Sequence, residues 1–403
     1  MNVLFATLCD INSLDDGIIY TDLLREFIRN GHTVYIVSPL EKRNRKKTYI
    51  LSENKCSILK VKTGNIQKTN AIEKGLSTIL LEYKFELAIK KYYSNVKFDL
   101  VLYSTPPITL ANVIRYVKKR DNAKTYLLLK DIFPQNAVDL GMLSENGIKG
   151  LIYKYFRKKE KKLYNISDFI GCMSPANVKY ILKNNLEIRP DKVEVCPNSI
   201  EPYEIDKNPA NNEQIKIKYG IPLNKTIFIY GGNIGKPQGI EFLIDCIRAN
   251  ENNQKSYFII VGAGTEFSKL KYYFDSENPI NAKLISQLSK NEYETLVNAC
   301  DVGLIFLDKR FTIPNFPSRI LSYMQASMPI LAATDVNTDI GQVIESGEFG
   351  FWSKSDNEEK FNEKIQKLCD IDLIDKMGKN ARKYLEKYYV VKESYDIIMK
   401  HYI

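Results

Sequence analysis

Histidine is nearly absent from this chain: His32 and His401 are the only two, which leaves no room for a mechanism built on a histidine cluster. The seven cysteines (Cys9, Cys56, Cys172, Cys196, Cys246, Cys300 and Cys369) are odd in number and form no CxxC pair, which argues for reduced thiols and against a zinc site. Uninterrupted apolar runs fall short of the ~18 residues that a spanning helix needs. The opening MNVLFATLCD has no basic stretch ahead of its apolar segment, so a cytoplasmic protein is expected.

What is present is a soluble-type composition, 44% hydrophobic and 26% charged, over 403 residues, too long for one ordinary core. Two domains follow as the expectation. The net charge of +10 is unevenly placed, because residues 1–200 carry 33 Lys and Arg against 20 Asp and Glu. A basic first half joined to a slightly acidic second half points to an anionic surface as a partner of the first.

The densest signal is TIFIYGGNIGKPQGI at 226–240. Its β-branched and aromatic start reads as a buried parallel strand, which breaks into Gly231, Gly232 and Gly235 before a helix. Glycines there let a backbone approach a bulky group, and the helix start offers free N–H groups, an arrangement that suits a diphosphate. The order recurs at Tyr257–Val261 with Gly262 and Gly264. Either turn alone also fits a plain strand-to-helix connection; together they point to a nucleotide site at the C-terminal edge of a parallel sheet.

The first half opens as a βαβ unit: a strand over 2–7, a loop to Gly17, a helix over 18–30 closed by Gly31, and a strand over 32–37. His32 takes a structural place at the helix's return. Gly17 lies on the strand-end side, where a substrate can bind. Residues 41–47 read as a basic loop, followed by a helix with Ile79, Leu80, Tyr83, Leu87 and Ile89 as its apolar positions. Asp131 follows the strand over 125–130, at the edge where α/β sheets bind ligands; a turn cap beside Pro134 is its other reading. In 148–164 basic side chains alternate with apolar ones, as in an interfacial helix on anionic lipid, or in a helix that packs one face and solvates its lysines. The charge of the whole half favours lipid. No recognition motif supports nucleic acid.

Residues 200–212 read as the linker. In the second half Pro317 and Ser318 start a helix beside Arg319, so backbone and guanidinium can hold one anion, with a surface ion pair as the alternative for Arg319. Asp370-Ile371-Asp372 has the DxD form of a metal–nucleotide site, but it lies in a polar segment between helices, where Asp372 is expected as a helix cap; 379–403 reads as one long helical pattern.

YGGNIGKPQGI at 230–240, KDIFPQNAVDLGM at 130–142 and NFPSRILSYMQASMPILA at 315–332, with the looser CPNSI at 196–200 and FIIVGAGTE at 258–266, resemble glycosyltransferase family 4. These are retaining sugar transferases, and the likeness is to the O-antigen and capsule branch that includes fucosamine-type transferases. The resemblance implies an α/β protein of GT-B architecture, with two facing Rossmann-like domains and a C-terminal helix returning to the N-terminal domain. The corresponding bounds are 1–202 for the acceptor domain, 203–385 for the nucleotide-sugar domain and 386–403 for the helix.

By position, Gly232, Asn233, Lys236 and Gln238 match the diphosphate loop, Gly262 and Gly264 the turn beside the nucleotide, and Ser318 with Arg319 the phosphate contact. Gly17 matches a glycine facing the donor phosphates, and Asp131 the acid of a His-Asp pair. The chain departs from the family's E-x7-E motif, whose places are Pro314 and Ser322, and has Lys130 where the histidine stands. Charge compensation then falls to Lys236, Arg319 and backbone N–H groups. The resemblance thus implies transfer of a hexosyl or N-acetyl-aminosugar unit from a nucleotide diphosphate sugar to a lipid-linked saccharide, with Asp131, Lys236 and Arg319 catalytic. It implies no cofactor and no metal, and a place on the inner face of the membrane. The rivals are a GT-B sugar-nucleotide epimerase, which the scarcity of histidine opposes, and a non-enzymatic anionic-lipid-binding protein, which leaves the glycine turns unexplained.

Overall fold

The apolar runs become the strands of two separate sheets in the computed structural model of the protein, which describes residues 1–66, 69, 71–205 and 208–402. One compact unit comprises Met1–Ile200 with the chain from Val391 onward, and the other Glu201–Val390.

In the first unit β1 (Asn2–Ala6), β2 (Thr33–Glu41), β3 (Tyr49–Glu53), β4 (Cys56–Thr63), β5 (Leu100–Ser104), β6 (Lys124–Leu129), β7 (Phe169–Cys172) and β8 (Val193–Val195) lie in the order β3-β4-β2-β1-β5-β6-β7-β8. All pairings are parallel except the edge hairpin of β3 with β4. The helices are α1 (Ile19–Arg29), α2 (Ala71–Tyr92), α3 (Ala111–Asp121), α4 (Gln135–Asp139), α5 (Gly147–Ile166) and α6 (Pro175–Asn184). Strand order reverses between β1 and β5, so the loops after these two strands flank the crevice where such sheets bind ligands.

The second unit holds α7 (Pro209–Lys218), β9 (Thr226–Asn233), α8 (Ile240–Ala249), β10 (Ser256–Ala263), α9 (Phe267–Glu277), β11 (Ala282–Ser286), α10 (Lys290–Asn298) and β12 (Val302–Phe306). It continues with α11 (Arg319–Gln325), β13 (Ile330–Thr334), α12 (Ile340–Ser346), β14 (Gly350–Lys354), α13 (Glu358–Lys367) and α14 (Ile371–Tyr388). Its sheet is parallel throughout, β11-β10-β9-β12-β13-β14, and reverses between β9 and β12. Phe228, Phe258, Ile260 and Leu304 from the strands pack with Leu243 and Ile247 of α8 and Phe361 of α13.

Three expectations are corrected, and one gap is filled. Residues 49–63, passed over above, form β3 and β4; Lys60 interrupts an otherwise apolar run yet is fully buried. On α2 it is Leu81, Phe85, Ala88 and Ile89 that are buried, while Ile79, Leu80, Tyr83 and Leu87 face solvent. Of the expected linker 200–212, positions 206 and 207 lie outside the described residues, and Pro209 begins α7, where its missing N–H costs nothing. The helical pattern over 379–403 breaks after Tyr388, and α15 (Val391–Met399) belongs to the first unit. There Val391 N–H donates to Ile200 O at 3.2 Å, and Tyr395, Ile398 and Met399 enter the β1–α1 core. The two histidines serve this docking. His32 meets the Tyr395 hydroxyl at 2.9 Å, and His401 stacks on Phe169 at 3.6 Å while bonding Glu194.

Candidate functional site

In the second unit, the strand over Thr226–Asn233 carries Gly231 and Gly232 to the switch point, and the register pairs Gly232 with Gly262. Gly232 has φ +117, a conformation side chains resist, and a Cβ there would lie 3.7 Å from Arg319 Nη2. At Gly262, φ +153, a Cβ would meet the Gly232 carbonyl oxygen at 1.9 Å. The two glycine turns therefore pack backbone on backbone. Gly264 extends that contact, its Cβ position being 2.1 Å from Ile234 O. A packing reason thus exists for Gly262 and Gly264 that the spacing of glycines alone does not reveal.

Beyond Gly235 a short 3-10 helix, Lys236–Gln238, leads into α8. Gln238 turns inward: its Oε1 accepts from Asn233 Nδ2 at 3.1 Å and from Gly235 N–H at 3.0 Å, bracing the loop. Lys236 points outward, exposed, with no carboxylate within ion-pair distance among the described residues.

Arg319 comes from the other side of the switch point, at the end of the loop after β12. That loop is pinned by the turn after β13, where Asp335 Oδ1 accepts from Asn337 and Thr338 N–H, Thr338 Oγ1 donates to Asn315 O at 2.7 Å, and Asn337 Nδ2 to Phe311 O at 2.6 Å. Ser318, exposed, precedes Arg319 with helical dihedrals, and its hydroxyl makes no cap bond.

The guanidinium carbon of Arg319 stands 4.3 Å from the Tyr230 ring centroid, and Nη1 is buried with no acceptor in reach among the described residues. Burial works to lower its pKa, and the hydroxyls of Tyr230, Tyr323 and Tyr293 outweigh it, so the charge is kept. Those hydroxyls are themselves engaged: Tyr230 donates to Asn233 O at 2.7 Å, and Tyr323 lies 3.2 Å from both Ile229 O and Leu304 O. A desolvated cation with no carboxylate in ion-pair contact among the described residues, beside the exposed backbone of Gly232, has the chemistry of an anion site.

In the first unit Asp131 sits beyond the C-terminal end of β6. Burial pushes its carboxyl up to about 6, against a backbone N–H and the Asn136 amide, which donates to both oxygens at 2.8 and 3.0 Å. Thr105 Oγ1 ties the segment down, accepting from Lys130 and Asp131 N–H and lying 3.1 Å from Asp131 O. Lys130 reaches Cys196 O with Nζ at 3.0 Å, and burial lowers its pKa. Gly17, φ +60, closes the 3-10 turn Leu14–Asp16 in the loop after β1.

That loop is anchored by Lys60, absent from the sequence-derived candidates because its strand was not recognised. Its Nζ donates to Ile11 O at 2.8 Å, Ser38 Oγ at 3.2 Å and Asp10. Asn136 and Thr105 were likewise missed; Asn136 lies within the 130–142 motif but was given no role there, and Thr105 is marked only by its place at the same sheet edge. Asp370, rather than the expected Asp372, caps α14, because its carboxylate accepts from Asp372 and Leu373 N–H. The structure thus gathers Gly232, Asn233, Gln238, Gly262, Gly264 and Arg319 through direct contacts, with Lys236 and Ser318 on the adjoining backbone. Gly17 and Asp131 belong to the other unit.

Residues 211–384, nearly all of the second unit, match the family model for glycosyl transferases group 1. The chain is 24% identical over 328 residues to a probable glycosyltransferase, WbjE, of Pseudomonas aeruginosa, covering 80% of this chain and 78% of that one. It is 23% identical over 234 residues, 56% of this chain and 57% of the relative, to an Escherichia coli UDP-Gal:alpha-D-GlcNAc-diphosphoundecaprenol alpha-1,3-galactosyltransferase. The crystal structure of Anabaena Alr3699/HepE in complex with UDP-glucose superposes with a TM-score of 0.68 at 13% identity, over 100% of this chain and 99% of that one. The fold is GT-B, and the relatives support a glycosyltransferase.

Proposed function

We propose that this protein is a retaining glycosyltransferase that moves a hexosyl or N-acetyl-aminosugar unit from a nucleotide diphosphate sugar to a hydroxyl of a lipid-linked saccharide. The reading extends to the assembly of a capsule or O-antigen type polysaccharide, on the inner face of the membrane. The observation that carries it is Arg319, whose guanidinium lies against the Gly232 turn through Nη2 and buries an Nη1 that has no hydrogen-bond partner among the described residues. A relative whose name specifies a diphosphoundecaprenol acceptor supports the choice of acceptor, and the UDP-glucose complex of a structural neighbour supports the choice of donor.

In this mechanism the second unit holds the donor and the first the acceptor. As the glycosidic bond to the diphosphate breaks, negative charge grows on the leaving phosphate oxygen. Arg319 and the exposed Lys236 meet that charge. A preorganised cation in a dry site is worth far more there than in water, and it reduces the need for a metal. Asp131, with its carboxyl near pKa 6, orients the acceptor hydroxyl. Lys130 stands in the place of the family's histidine.

The test is donor-dependent transfer measured with purified enzyme. Arg319→Ala should lower kcat by ~10²-fold or more, with activity insensitive to chelator. An unchanged kcat removes Arg319 from the reaction.

A further inference from the structure

A helix packed on a sheet normally turns polar residues outward. The helix Ala71–Tyr92 turns apolar residues outward as well as inward. Leu76, Ile79, Leu80, Tyr83 and Leu87 recur at three- and four-residue spacing and are exposed, Leu76 at 59% and Tyr83 at 61%. They fall directly opposite the buried Leu81, Phe85 and Ile89, and the stripe runs about 17 Å along the axis. The helix Gly147–Ile166 has the same feature in its first half: Ile148 (83% exposed), Leu151 (68%), Ile152 and Tyr155 lie on its outward face.

The two stripes share one side of the sheet. Glu82 of α2 accepts from Asn112 Nδ2 of α3 at 2.9 Å and pairs with Lys159 of α5 at 3.4 Å, and Lys162 of α5 reaches Asn112 as well. Both helices also start at the C-terminal edge of the strands, the end that carries Asp131.

Around the α5 stripe lysines predominate, with Glu145 exposed just ahead of it, while on α2 Glu86 pairs with Lys90. Lys149, Lys154 and Lys158 are exposed, with no carboxylate within ion-pair distance among the described residues. The ammonium of Lys162 is held below its usual range, first by burial and then by Arg115, Lys159 and Lys158, with Glu82 partly offsetting them. No helix among the described residues is long and apolar enough to cross a membrane. An apolar face of this size with exposed lysines along α5 suits a lipid surface of negative charge, into which leucine and tyrosine side chains sink while lysines meet the headgroups.

We propose that α2 and α5 together form the face by which this protein docks on an anionic bilayer, with α2 supplying the greater part of the inserted apolar surface. The proposal rests on the reading of the first unit as the one that meets a membrane, and adds to it a second helix that charge distribution alone does not mark. Docked in this way, the sheet edge bearing Asp131 lies beside the headgroups.

Full-length protein is floated with vesicles of phosphatidylcholine alone or with added phosphatidylglycerol. Wild type is expected to float only with the anionic vesicles. Leu80→Glu with Leu87→Glu should lower the bound fraction tenfold or more, and Lys154→Gln and Lys158→Gln about fivefold each. Both pairs are exposed, so thermal unfolding should match wild type. Tyr83→Trp adds a reporter in α2 whose emission should shift to the blue on binding and be quenched by brominated lipid. If wild type floats and the α2 variant floats equally well, or if the reporter at position 83 is unmoved, the proposal falls while the membrane reading stands. If wild type never floats, both fall. A wild-type dimer in solution that Leu80→Glu with Leu87→Glu splits, with no flotation, would instead assign the face to contact between copies.

Discussion

Replacing Asp131 with Asn removes a carboxylate that the fold holds out of water. Its pKa in the folded chain is about 6, against a reference of 3.8. A carboxyl raised in this direction is neutral in both states below pH 4, where it carries no penalty. Between pH 4 and 6 the unfolded chain ionises first, and above pH 6 the folded protein bears the full difference. Two units at ~1.4 kcal/mol each bound that difference at about 3 kcal/mol. Asparagine does not titrate, so Asp131→Asn should gain on wild type as the pH rises from 4 to 7, by up to about 3 kcal/mol, and then level off. The Asn136 amide, which now donates to both carboxylate oxygens, has one carbonyl oxygen left to meet, so the observed gain will be smaller. Urea unfolding of wild type and variant at pH 4, 5, 6, 7 and 8 measures it. A difference that stays flat across this range would refute the desolvation argument and, with it, the placement of Asp131 as a poised acid.

Four further outcomes follow from the geometry. Gly262→Ala brings a Cβ to 1.9 Å from the Gly232 carbonyl, backbone against backbone, and should destabilise by roughly 3 kcal/mol and weaken nucleotide binding; Gly75→Ala, with nothing within 4 Å and a helical backbone, should stabilise by about 0.5–1 kcal/mol in the same melts. Lys60→Met leaves Ile11 O and Ser38 Oγ without their buried donor and should cost about 1–3 kcal/mol in urea unfolding. Gln238→Ala unties Asn233 and Gly235 N–H and should raise the Kd for a nucleoside diphosphate several-fold, read by calorimetry, while leaving the unfolding midpoint within about 1 kcal/mol.

The second unit was the more legible in sequence. Continuous β-branched runs ending in glycine mark β9 and β10 and the turns that follow them, and Pro317 with Ser318 marks the start of α11. The use of each residue within that edge was less so, because a glycine that admits a ligand and one that admits a neighbouring strand look alike; Gly262 is of the second kind by contact. Gln238 reads as a ligand contact from position alone, yet its carbonyl oxygen is spent on its own loop. In the first unit a lysine inside CSILKVKT hid a buried strand, since a charged side chain at full burial is explained only by partners from Asp10, Ile11 and Ser38, far away in sequence. The helix α2 carries apolar residues on both faces, so spacing cannot say which one meets the sheet.

Whether the second unit cradles a diphosphate with Arg319 is tested most directly by titrating the purified protein with UDP, GDP and their sugars, followed by calorimetry, beside Arg319→Met. Wild type should bind at least one of them saturably, and the variant should bind it ~10- to 100-fold more weakly with an unchanged melting temperature in the absence of ligand. Equal affinity in the two proteins, or no binding by wild type across the panel, would contradict the account.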